Sequence, residues 1–104
     1  MEKIKKTIGL NQESYQLLKD KEQEIREYHD NFNLRLLSAL FENAINVFYK
    51  KFKEKINFDY KNIIKRQTVY ISKETNGIYN KLAFQHNYTL QELANLIIIS
   101  VYKK

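Results

Sequence analysis

A fourteen-residue stretch of this chain occurs twice. Residues 5–18, KKTIGLNQESYQLL, align with residues 66–79, RQTVYISKETNGIY, at a constant offset of 61 positions. Thr7 meets Thr68, Ile8 meets Val69, Leu10 meets Ile71, Asn11 meets Ser72 and Glu13 meets Glu74. Both copies alternate apolar with polar side chains, the period of a strand that buries one face. Both then reach a residue that favours helix starts, with Glu in the first turn where the helix dipole stabilises it. Each copy therefore predicts a short strand running straight into a helix.

The rest of the repeat aligns at an offset of 56: Phe32 with Tyr88, Asn33 with Thr89, Leu37 with Leu93 and Leu40 with Leu96. The first unit thus carries five extra residues in its first helix or the turn after it, where an insertion is tolerated. Each unit reads strand–helix–helix and cannot bury its apolar faces alone. The expected organisation is a first unit over residues 1–52, a basic connector over 53–64 and a second unit over 65–104, sharing one core.

In the first unit the strand spans Lys3–Leu10 and Asn11 caps a helix whose Tyr15, Leu18, Ile25 and Tyr28 face the core. Residues 19–27 between them, with Glu22, Glu24 and Glu27, read as a solvated charged stretch. Asn33 is the second cap, followed at spacings of three and four by Leu34, Leu37, Phe41, Ala44, Ile45, Phe48 and Phe52. This apolar helix is expected to be the central packing element. In the second unit the strand spans residues 66–71, Ser72 caps, and Ile78, Tyr79, Leu82 and Phe84 supply core contacts. Asn87 and Tyr88 form a turn, and Thr89-Leu90-Gln91-Glu92 is a capping box for the helix Leu90–Tyr102.

Composition narrows the function. With 43% apolar residues, six Phe and eight Tyr, the 104 residues can form a core, so wholesale disorder is not expected. Cysteine and proline are absent, which removes disulfides and thiolate metal sites and favours long helices. No apolar stretch follows the basic start, so no secretory signal is read and a cytoplasmic location is expected. The run LANLIIISVY is about half of the ~20 residues a membrane-spanning helix needs, so it reads as core and no membrane partner is expected. His29 and His86 stand apart and no glycine-rich phosphate loop is present, so neither an enzyme nor a bound metal or cofactor is expected.

The net charge of +6 is uneven. Residues 1–49 hold seven basic and eight acidic side chains, whereas residues 50–104 hold eleven and four, a balance of −1 against +7. A concentration of cations beside two strands points to a polyanion. The side chains left on the strands' exposed faces are Lys5, Thr7 and Gly9 in one copy and Arg66, Thr68 and Tyr70 in the other. A short β-ribbon carrying cations and hydroxyls fits the major groove of DNA. The bland readings are that the threonines merely favour strands and that the lysines merely solvate a face.

The alternating strand Thr68-Val69-Tyr70-Ile71-Ser72, its following helix and the capped second helix at Thr89-Leu90-Gln91-Glu92-Leu93, present twice, resemble the ribbon-helix-helix family of Arc, MetJ and CopG-type DNA-binding proteins. The resemblance covers residues 3–52 and 65–102. It implies a mainly α fold with a two-stranded antiparallel β-ribbon, in which two fused ribbon-helix-helix units form an intramolecular pseudo-dimer similar to the TraY type of conjugative DNA-processing protein. An extended connector of about twelve residues reaches roughly 40 Å, enough for the strands to meet within one chain.

By the same resemblance Lys5, Thr7, Gly9, Arg66, Thr68 and Tyr70 take the base-contacting places. The starts of the second helices, Asn33-Leu34 and Thr89-Leu90, would hold phosphates through free N–H groups. Lys3, Lys6, Lys65 and Lys73 would add phosphate contacts. Gly9 offers no side chain, Lys6 and Gln67 fall on the nominally buried face, and the strands match only at threonine, so an asymmetric DNA site is expected. The implied roles are a relaxosome accessory protein in conjugation or a plasmid or phage transcriptional repressor. The implied partners are double-stranded DNA, a relaxase and further copies of the chain on DNA. The rival readings are an antitoxin, against which stands the absence of a tail after Lys103-Lys104, and a helical interaction module without DNA readout.

Overall fold

In a computed structural model, the structure describes residues 3–28, 36–51 and 62–103. The elements follow in the order β1 (Lys3–Leu10), α1 (Gln12–Tyr28), α2 (Leu36–Lys50), β2 (Lys65–Ser72), α3 (Lys73–His86) and α4 (Leu90–Tyr102). The described residues are mainly helical, with one two-stranded antiparallel sheet. Among the described residues no helix is long and apolar enough to cross a membrane.

Local sequence sets the boundaries. Asn11 Oδ1 accepts from Ser14 N at 2.8 Å and so caps α1. Ser72 ends β2 and also caps α3, its Oγ accepting from Thr75 N at 3.2 Å. No connecting residue separates this strand from its helix, whereas Asn11 stands between β1 and α1. Asn87 closes α3 in the left-handed conformation with φ 58°, which Asn tolerates better than most side chains. The capping box of α4 is complete: Thr89 Oγ1 accepts from Glu92 N at 3.1 Å and Glu92 Oε1 accepts from Thr89 N at 3.2 Å.

The sheet's inner face supplies Ile8, Leu10, Val69 and Ile71 to the core. Against them pack Leu18 of α1, Phe41, Ala44, Ile45 and Phe48 of α2, Tyr79 and Leu82 of α3, and Leu93, Ala94, Leu96, Ile97 and Ile98 of α4. Each fully buried Leu, Ile or Phe contributes about 1.5–3 kcal/mol, so this core dominates stability. Phe41 and Tyr79 meet edge-on at 5.5 Å between ring centroids, and the Tyr79 hydroxyl donates to the Leu90 carbonyl.

Buried and half-buried polar groups tie the helices to the ribbon's two outer edges. Asn95, completely buried in the apolar α4, accepts from Asn11 N at 3.0 Å and donates to the Gly9 carbonyl at 2.9 Å. On the other edge Ser38 Oγ accepts from Tyr70 N at 2.8 Å and Glu42 Oε1 accepts from Ser72 N at 2.7 Å, both from α2. The repeat makes Gly9 equivalent to Tyr70 and Asn11 to Ser72. Equivalent points on the two strand edges are thus held by the second helix of the opposite half. This satisfies backbone groups that an open sheet edge would otherwise present to solvent or to another chain.

Three sequence expectations need correction. Phe84 is 89% exposed rather than in the core. The buried stripe of α3 runs through Thr75, Tyr79, Leu82 and Ala83, and Phe84 lies two positions beyond Leu82, on the opposite side of a 3.6-residue turn. Glu22 is buried rather than solvated, because it lies one turn after Leu18 on the inward stripe of α1. The second strand is one residue longer at each end than expected, Lys65–Ser72 instead of 66–71. The expected core positions Leu34 and Phe52, and the connector at residues 53–61, lie outside the described residues, as does the side chain of Tyr28.

Candidate nucleic-acid interface

The outer face of the sheet follows from its register. Lys5 pairs with Tyr70, Thr7 with Thr68 and Gly9 with Arg66, and directly paired residues project to the same side. The Gly9 carbonyl and the Tyr70 N–H both turn outward to helices. These three pairs are therefore non-hydrogen-bonded ones, whose side chains stand closest, with Cα atoms about 4.5 Å apart. All six candidate base-contacting positions lie on one surface.

Accessibility divides them. Lys5, Thr7, Arg66 and Tyr70 are exposed and Thr68 is half-buried. Neither Lys5 nor Arg66 forms an ion pair or hydrogen bond with any described residue. Their charges are left to solvent or to a ligand rather than to a described side chain. Gly9 is buried, covered by side chains of Gln91 and Ile63. Gly9 is therefore closed to direct contact, a correction to its place among the exposed positions.

The candidate phosphate contacts are dispersed. Lys3 is exposed but its Nζ lies 3.3 Å from Glu42 Oε2. Partial burial pushes the Glu42 carboxyl up, but hydrogen bonds from Ser72, Thr75 and Lys3 outweigh this and hold it below the usual carboxylate value. Lys65 and Lys73 are exposed at the start of β2 and of α3. Thr89 and Leu90 are exposed at the start of α4, where the capping box occupies the N–H groups of Thr89 and Glu92. The N–H groups of Leu90 and Gln91 have no partner among the described residues, the usual state of first-turn donors. Asn33 and Leu34 lie outside the described residues.

Lys6 is the exception. It pairs with Val69 on the inner face, half-buried, with Nζ 5.5 Å from the Tyr79 ring centroid. Burial pulls its pKa down. Lys6 thus packs beneath the sheet as a cation over an aromatic face rather than joining the outer set. Its inner-face parity was visible in the alternation. Gln67, also on this face, donates to the Thr68 carbonyl at 3.1 Å.

Sequence reasoning missed the residues that hold the ribbon. Asn95 carried a signal, as the single amide within an otherwise apolar helical run. Ser38 and Glu42 look like ordinary polar helix positions, and only the fold brings them to a strand edge. Comparison with protein-family models, with curated proteins and with solved structures finds no match to this chain.

Proposed function

We propose that this protein is a sequence-specific double-stranded DNA-binding protein, acting as a tandem ribbon-helix-helix pseudo-dimer without chemistry of its own. The reading is carried by one observation. The exposed face of the only sheet among the described residues gathers Lys5, Arg66, Thr7, Thr68 and Tyr70, with neither cation paired to a described residue. A two-stranded ribbon fits the major groove, where lysine and arginine donate to guanine O6 and N7 and threonine meets an acceptor or the thymine methyl. The first turn of α4 and the basic side chains at the strand ends are the elements available for phosphates. The differing strands match an asymmetric site. By the family resemblance the setting is a conjugative relaxosome or a plasmid or phage promoter, with a relaxase or further copies of the chain as additional partners in the first case.

The test is duplex binding by the full chain and by Arg66→Ala and Thr68→Ala. Each variant is expected to lose about 1–3 kcal/mol for its preferred duplex. Footprinting across the gene's own neighbourhood then separates a promoter from a transfer origin. Unchanged binding by both variants would refute readout by the ribbon.

A further inference from the structure

Gly9 occupies an outward position on β1 without a side chain, and the space is filled from α4. A Cβ built on Gly9 would stand 2.8 Å from Gln91 Oε1 and 3.0 Å from Ile63 Cγ2. The φ of Gly9 is not positive, so glycine is needed there for room rather than for backbone freedom. The placement of Gln91 is fixed. One turn further along α4, the buried Asn95 amide donates at 2.9 Å to the Gly9 carbonyl and at 2.9 Å to the Gln91 carbonyl, stapling this turn to the strand. Gln91 itself is half-buried, and its side-chain amide makes no hydrogen bond with any described residue. Across the ribbon from Gly9 stands the exposed Arg66.

We propose that Gln91 supplies the side chain that Gly9 lacks and is a specificity-determining residue of the DNA interface, its amide reading a base edge next to the one met by Arg66. The inference rests on the DNA-binding reading. A glutamine amide matches adenine, donating to N7 and accepting from N6, as arginine matches guanine. The repeat makes Gly9 equivalent to Tyr70 and Arg66 equivalent to Lys5. One end of the ribbon therefore presents lysine with tyrosine and the other presents arginine with a borrowed glutamine. The preference imposed by Gln91 is confined to one half of the site.

The experiment selects duplexes from a random library with the full-length wild-type chain and with Gln91→Met, Gln91→Ala and Arg66→Ala. Methionine keeps the cover over Gly9 and removes only the amide, whereas alanine removes both, and thermal melts verify that each variant folds. The expected result is that both Gln91 variants lose discrimination at one base pair neighbouring the one lost in Arg66→Ala. Affinity for the preferred duplex would fall about ten- to a hundredfold while affinity for unrelated duplex stays unchanged. An unaltered profile in the Gln91 variants, with Arg66→Ala still altered, overturns the inference and leaves DNA binding standing. A uniform loss across all sequences also overturns it, because Gln91 would then only touch the phosphate backbone. If the wild-type chain selects no duplex, the DNA reading fails and this inference with it.

Discussion

Thr7 and Thr68 face each other directly across the two strands, and the 61 positions between them are the offset of the sequence repeat. Residues that the repeat makes equivalent are therefore cross-strand neighbours at the centre of the ribbon. The relation extends outward: the repeat carries the pair of Lys5 and Tyr70 onto the pair of Arg66 and Gly9. The two strands are related by an approximate twofold between the threonines. Side chains differ at every outward pair except this central one, so approximate symmetry of backbone carries asymmetry of chemistry.

Replacing Asn95 by alanine should cost about 2–4 kcal/mol of folding stability, because it strands two buried backbone groups rather than one. Asn11 N–H loses its acceptor, and the Gly9 carbonyl loses its donor. Urea denaturation measures this. A loss below about 0.5 kcal/mol would mean that these groups find other partners.

Glu42 predicts an acid-sensitive component of stability. Its folded-state pKa is lowered from 4.5, with hydrogen bonds prevailing over burial. A depressed carboxylate contributes stability that is present above the unfolded value and is lost as pH falls through the folded one. Wild-type stability should therefore drop more between about pH 5 and about pH 3 than that of Glu42→Gln. Parallel pH profiles for the two proteins would contradict it.

Aromatic residues on α3 should behave oppositely. Phe84 is 89% exposed and Tyr79 is 1% exposed. Phe84→Ser is expected to change stability by no more than about 0.5 kcal/mol, whereas Tyr79→Ala should cost about 3–5 kcal/mol. Comparable losses in the two variants by thermal or urea melts would contradict the assigned helix face.

The contrast between those two aromatics also marks what the sequence makes legible. Strand alternation, the Ser72 cap and the Thr89 capping box are local signals, and they place β1, β2 and the starts of α3 and α4. Residue type alone assigned Phe84 to the core, although its angular position excludes it. The outward face follows from period-two alternation, but burial of Gly9 depends on Gln91, which is 82 positions away in the chain. No local pattern reports such a contact. Ser38 and Glu42 were hidden for the same reason, since their partners are strand-edge N–H groups about thirty positions away.

The most direct test of the account is methylation interference on a duplex selected by the wild-type chain. Methylation of guanine N7 adds a group in the major groove, whereas methylation of adenine N3 adds one in the minor groove. N7 methylation at the centre of the site should block binding, and N3 methylation there should not. Binding that survives N7 methylation throughout the site, or that is lost only on N3 methylation, would contradict entry of the Thr7–Thr68 ribbon into the major groove.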